Sequence, residues 1–303
     1  MVRKALALVA VAAVLVSCGR GEPARPDAAP SRTRATASAV APDPTPVPDR
    51  SGEPAPFDRD PALLARQLDH AVATVRDPGA DATSLQKAAE LEQLAVRSLV
   101  LARAAYRRSV IAALAPDATR QVRAEVHAGR LLTAITTPKR RLPPWRIVAP
   151  APADELLGYY REAERRTGVP WSYLAAINLV ETRMGRIRGP STAGALGPMQ
   201  FMPATWARYG VGGDINDPHD AIQAAARLLR AHGAPRDMAT ALWHYNPSSR
   251  YVGAVTAYAR VMGAAPVTYR GYWHWRVLYH LERGTYVLPV GFPRVRPLRV
   301  PGG

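Results

Sequence analysis

"VPWSYLAAINLVETRMG", residues 169–185, is the stretch on which the fold class turns. Pro170 stands where the first turn of a helix tolerates proline, because that N–H has no helical partner to lose. Gly185 stands where a helix commonly stops. Between them Leu174, Ile177, Asn178, Glu181 and Met184 recur at steps of three and four, so they share one helical face. That face is mostly apolar, with Glu181 in its middle. An unpaired carboxylate there is costly. Glu181 therefore either pairs with Arg183 or Arg186, reaches water at the rim, or holds its proton near neutral pH. A carboxylic acid kept protonated in a cleft is what general acid catalysis requires.

Downstream lies "GRIRGPSTAGALGPMQFMPATWARYG", residues 185–210, in which Gly189, Gly194 and Gly197 allow close backbone approach or positive φ. Pro203 and Thr205 open a short helix carrying Trp206. Asp217-Pro218 caps "HDAIQAAARLLRAHG", Asp237 caps "MATALWHYN", and Ser248 or Ser249 caps "RYVGAVTAYARVM". Upstream, "DELLGYYREAERRTG" is helical from Asp154. Short, capped helices of this kind predict a compact all-α domain over residues 150–265. The tail, 266–303, contains "GYWHWRVLYHLERGTYVLPVGFP" and is rich in aromatic and β-branched residues. With Glu282-Arg283-Gly284-Thr285 as its turn, it predicts a β-hairpin packed on the helices. Trp273 and Trp275 suit either sugar stacking or the core.

The segment before the connector "TPKRRLPPWRIVAPAPADE" is also helical, over residues 57–140. Asp60-Pro61 starts a first helix, a long second runs from about Ser84 to Ala113, and a third runs from Pro116 to about Ile135. They predict a hairpin or small bundle with a packing or spacer role.

The N-terminus bears on compartment. Arg3 and Lys4 precede "ALALVAVAAVLV", too short to span a bilayer comfortably but suited to a signal-peptide core. It ends in "LVSC", which resembles the lipobox of bacterial lipoproteins and makes residues 1–17 a signal peptide and Cys18 the lipidation site. An ordinary signal peptide is the alternative. Cys18 is the chain's only cysteine, which excludes an intramolecular disulfide and a multi-cysteine metal site. Residues 18–56, rich in Pro and Ala, read as a disordered tether. The expectation is an exported protein, lipid-anchored to a bacterial membrane and facing the cell wall. The formal net charge of +16 becomes +14 without residues 1–17. It favours anionic surroundings, and for this address those are phospholipid head groups and acidic wall polymers rather than nucleic acid.

"VETRMGR", "STAGALGPMQFMPATW", "DINDPHDAI" and "HYN" occur in the order and approximate spacing of bacterial lytic transglycosylases with a lysozyme-like fold. The first two look most similar to the membrane-bound lytic transglycosylase B group. The resemblance covers roughly residues 150–262. It implies cleavage of the β-1,4 bond between N-acetylmuramic acid and N-acetylglucosamine in peptidoglycan glycan strands, leaving a 1,6-anhydromuramyl end, with no cofactor. Glu181 matches the catalytic acid, which protonates the glycosidic oxygen and then accepts the proton of the muramyl 6-hydroxyl. Gln200 matches a saccharide-contacting glutamine, and Ser191 a serine beside the acid that orients substrate. Tyr245 matches a tyrosine that hydrogen-bonds the acid and the substrate, and Asn246 supports the backbone next to it. The chain departs from the group at His244, at Pro198-Met199 and in a shorter segment before the glycine loop. It also lacks an Asp-rich loop of the kind that holds structural calcium.

Other readings set limits. The seven histidines form no His-x-x-x-His or His-Glu-x-x-His pair, which disfavours a metal hydrolase. Asp214, Asp217 or Asp220 as a second carboxylate would make a muramidase that uses water. A non-catalytic wall-binding lipoprotein is the remaining class, though simple binding has no need of a protonated acid.

Overall fold

The computed structural model describes residues 57–300, so the expected signal peptide, Cys18 and the expected tether lie outside the described residues. The described chain is mainly helical, as expected for a lysozyme-like domain, with small antiparallel sheets. The N-terminal helices are α1 (Pro61–Arg76), α2 (Ala82–Leu101), α3 (Ala104–Ala112) and α4 (Pro116–Thr133). After β1 (Arg146–Ile147) come α5 (Ala153–Thr167), α6 (Trp171–Thr182), β2 (Ile187–Arg188) and α7 (Pro203–Tyr209). Then follow α8 (Pro218–Ala231), α9 (Met238–Tyr245), α10 (Ser249–Ala264) and α11 (Thr268–His274). Strands β3 (Val277–Leu281), β4 (Gly284–Leu288) and β5 (Leu298–Arg299) close the chain. Among the described residues no helix is long and apolar enough to cross a membrane.

Side-chain caps set many of the helix starts. Asp60, Asp217, Asp237 and Ser248 each accept a backbone N–H in the first turn, satisfying donors that have no helical partner. Asp81 caps α2 in the same way. The long second helix of the sequence reading is two helices. Ala102 is extended (φ −66°, ψ 155°), and the Arg107 guanidinium donates to the Ala102 carbonyl at 2.8 Å and the Leu99 carbonyl at 3.4 Å. A side chain five residues on thus satisfies carbonyls freed by the break.

Helix α6 is not merely amphipathic; every residue from Trp171 to Thr182 except Tyr173 is buried. Helices α5, α8, α10 and α11 all pack on it. The core around it also takes Ala71, Val75, Leu85, Ala88, Ala89 and Ala128 from α1, α2 and α4. Helices α4 and α10 are packed together, so the N-terminal helices wall the central helix instead of standing apart as a spacer. A second core of Leu64, Leu68, Val72, Leu99 and Val122 holds those helices to one another.

The tail corrects the sequence reading in its first half. Gly271–His274 belong to α11, and the hairpin begins at Val277, with Leu281 opposite Gly284 across the turn. Trp275 is buried. Trp273 donates its indole N–H to the Ala151 carbonyl at 3.0 Å and carries the Arg186 guanidinium over its ring. Neither tryptophan lines the Glu181 cleft.

Candidate active site

Glu181 sits one residue from the C-terminus of α6, 6% exposed. The helix ends because Arg183 and Met184 both take positive φ (53° and 60°), turning the chain into the glycine-rich loop. Thr182 locks that turn. Its hydroxyl donates to the Pro198 carbonyl at 2.5 Å and accepts the Gly185 N–H at 3.1 Å, tying the end of α6 to the loop in front of it. Asn178, one turn earlier, donates to Tyr160 at 2.8 Å and is fully buried.

The loop folds back so that Leu196 and Phe201 exchange two backbone hydrogen bonds at 2.8 Å. Gly197 is required at its tip. Its φ is +73°, and a Cβ there would lie 1.8 Å from the Ile215 carbonyl oxygen. Gln200 follows with φ 51°, an uncommon conformation for a non-glycine residue, held by its backbone N–H donating to the Gly197 carbonyl. Its side-chain amide also donates to that carbonyl at 3.0 Å.

These elements enclose a small cleft of about 40 Å³ whose lining includes Glu181, Gln200, Thr205, His244, Tyr245 and Asn246. Among the described residues Glu181 is the only carboxyl group lining it. Burial pushes the Glu181 pKa up to about 7, against a smaller lowering by the hydrogen bond it accepts. The donor of that bond is Tyr251 on α10, whose hydroxyl reaches Glu181 Oε1 at 2.7 Å. Burial, then the Glu181 charge, holds the Tyr251 hydroxyl well above its ordinary pKa, so it remains a donor.

The expected Tyr245–Glu181 hydrogen bond is therefore corrected. The Tyr245 hydroxyl donates to the Met199 carbonyl at 2.6 Å. Its ring lies parallel to Tyr251, 6.5 Å between centroids, and edge-on to Phe201. Tyr245 supports the strained backbone just before Gln200, and Tyr251, unnoticed in the sequence, takes the acid. The signal was a tyrosine in the first turn of the helix after "HYNP", but linking it to Glu181 requires knowing that α10 packs on α6.

Ser191 lies in the loop, where its hydroxyl oxygen accepts the Ala193 and Ala195 N–H groups at 3.2 and 2.9 Å. It braces Ala195, which lines the cleft, and is not itself among the lining residues. Gln200 Oε1 and Asn246 Oδ1, by contrast, are buried without a hydrogen-bond partner. An unpaired buried carbonyl oxygen costs about 1–3 kcal/mol. Two of them beside one acid make a pair of acceptors prepared for hydroxyl or amide N–H donors. At the rim, His244 stacks on His232 with 4.0 Å between ring centroids.

The aspartates considered as a second carboxylate are engaged elsewhere. Asp217 caps α8, Asp220 accepts the Asp214 N–H at 2.9 Å, and Asp214 accepts the Asn216 N–H at 2.8 Å. None lines the cleft. Asp217, His219 and Asp220 lie close enough together to hold a cation, but their contacts are those of a helix cap, and His219 also meets Glu162 at 3.1 Å.

No curated protein and no solved structure matched the chain. One family model did, over a span that contains Ser191 and Gln200, starts after Glu181 and ends before Tyr245. Residues 189–243 match the Transglycosylase SLT domain, which supports peptidoglycan lytic transglycosylase activity in general terms.

Proposed function

We propose that the chain cleaves the β-1,4 bond between N-acetylmuramic acid and N-acetylglucosamine in peptidoglycan, leaving a 1,6-anhydromuramyl end. The observation that carries this reading is a buried carboxyl group, alone in lining its cleft among the described residues, with its pKa pushed by burial up to about 7. Glu181 donates its proton to the glycosidic oxygen as the bond to the muramyl anomeric carbon breaks. The resulting carboxylate then accepts the proton of the muramyl 6-hydroxyl, whose oxygen closes on that carbon. One acid serves both steps, because the sugar supplies its own nucleophile. A hydrolase of the two-carboxylate type would need a second acid about 5–10 Å away. Tyr251 positions one oxygen of Glu181 and leaves the other for the substrate. The unpaired oxygens of Gln200 and Asn246 suit acceptance of sugar hydroxyl or acetamido N–H groups.

Export and lipid anchoring through Cys18 complete the proposal, since the substrate lies outside the cytoplasmic membrane. Cys18→Ala should release the body from membranes or stall its processing, and an Ala variant cleaved normally yet still membrane-bound would remove the anchor. Mass spectrometry of fragments released from purified wall tests the reaction. Anhydro ends are expected; reducing ends would make it a muramidase, and no release would leave a wall-binding protein.

A further inference from the structure

The last turn of α6 separates two cavities. Glu181 lines the cleft described above, while Val180 and Arg183, the residue just past the end of the helix, line a second and larger one of about 210 Å³. Its other walls come from α2, α4, α10 and the tail hairpin, so N-terminal helices and tail both help to build it.

Its chemistry is one-sided. Arg97 and Arg183 both line it, with Lys139 and His280, and among the described residues no aspartate or glutamate does. Arg97 spends one guanidinium nitrogen on the Thr133 hydroxyl at 3.0 Å, while its Nε is buried with no partner. Arg183 spends one on the Leu179 carbonyl at 2.6 Å. The indole N–H of Trp275 is also buried without a partner, and Trp275 too lines the cavity. Burial lowers the pKa of both arginines, and for Arg97 the neighbouring charge of Arg183 adds to the effect. Arg97 and Arg183 are both half-buried. Two cations of like sign held close repel one another, and drawing charge away from water without a counter-charge is costly. Hydrophobic packing would have filled this space at lower cost. The volume greatly exceeds the roughly 10–15 Å³ that one water needs.

A group with negative charge and several acceptor oxygens would resolve all of these features together. We propose that the cavity is a binding site for a small oxyanion, a carboxylate or a phosphate group, held between Arg97 and Arg183 and hydrogen-bonded by the Trp275 N–H. Val96, Val100 and Leu132 supply apolar wall beside the charged end, so the anion can belong to a larger organic molecule. The planar fork of a guanidinium matches two oxygens of either group. This inference is independent of the reaction assigned to the cleft.

The test titrates the full chain with inorganic phosphate or sodium acetate against sodium chloride of equal ionic strength, reading melting temperature and tryptophan fluorescence. A saturable rise in melting temperature with phosphate or acetate, absent with chloride, is expected. Response to phosphate alone identifies a tetrahedral anion, and response to both a site that accepts carboxylates. Arg97→Met should abolish the saturable response, and Trp275→Phe, which removes one donor and keeps an aromatic ring, should weaken apparent affinity at least about fivefold. The proposal fails if neither anion gives a saturable response, or if Arg97→Met responds as the parent does. Should Arg97→Met not fold, Trp275→Phe decides, and unchanged affinity in it overturns the site.

Discussion

Two groups of buried carboxyls in this molecule share an electrostatic signature and a tyrosine hydroxyl donor, and differ in what they open onto. Glu181 is pushed up to about 7 by burial, and so is Glu125 on α4. Glu92 on α2, close to Glu125, is raised well above its ordinary value by burial and then by the Glu125 charge. Yet Glu92 and Glu125 sit between packed helices, bonded by Gln121 at 2.6 and 3.2 Å and by the Tyr272 hydroxyl at 2.7 Å, and line neither cavity. Glu181 has one hydroxyl partner, an opening, and two unpaired acceptors beside it. A raised pKa marks burial in both places. Glu125 Oε2 is itself buried without a partner, so an unsatisfied oxygen does not tell the sites apart. Access to a cleft is what makes only one of them a candidate for chemistry.

The sharpest break in that comparison is to neutralise each group in turn. Glu181→Gln keeps shape and cannot donate the same proton, so turnover on purified wall should fall by about a hundred- to ten-thousandfold. Glu92→Gln should leave turnover within about twofold. Equal losses in the two variants, each normalised to folded protein, would erase the distinction.

The second effect concerns stability against pH. Below about 4.5 these glutamates carry protons in the folded and unfolded chain alike. As pH rises from there the unfolded chain releases protons that folded Glu92 and Glu125 retain, so the folded state loses stability up to and through pH 7. Melting temperature should therefore fall between pH 5 and pH 8. Glu92→Gln should flatten the slope by removing one titrating group and its repulsion of Glu125. Parallel melting curves for parent and variant over that window would contradict the assignment.

Helix caps at Asp60, Asp217, Asp237 and Ser248 were legible in the sequence because a cap is a local bond, complete within four residues. The placement of Glu181 on a buried helix was legible for the same reason, through spacing. What escaped was set across the fold. The break at Ala102 has no Gly or Pro beside it and depends on where Arg107 reaches. That Glu181 bonds to Tyr251, 70 residues on, and that Arg97 and Arg183 line one cavity, follow from which helices pack on α6 and α2. No periodicity carries such information.

Tyr251→Phe probes the acid's positioning next. The hydrogen bond it removes stabilises the carboxylate, so Glu181 should titrate at higher pH and the alkaline limb of the activity profile should move upward. Turnover at neutral pH should drop about tenfold, the equivalent of about 1.4 kcal/mol, as the carboxyl loses its fixed orientation. An unchanged pH profile would reduce Tyr251 to a packing residue.

Tyr245→Phe should have the smallest effect, and its value lies in the contrast. Its hydroxyl touches the Met199 carbonyl, not the acid, so deleting it removes one neutral hydrogen bond worth about 1 kcal/mol and leaves that carbonyl exposed to the cleft wall. The ring remains, with its contacts to Phe201 and Tyr251. Met199 directly precedes Gln200, whose positive φ depends on the loop staying closed. The loss should therefore appear in how Gln200 meets the saccharide, as a rise in KM of about threefold, with kcat within about twofold. The pH profile should not move. A shift comparable to that of Tyr251→Phe would show that Tyr245 acts on Glu181 in the working enzyme, and that the cleft rearranges when the glycan enters.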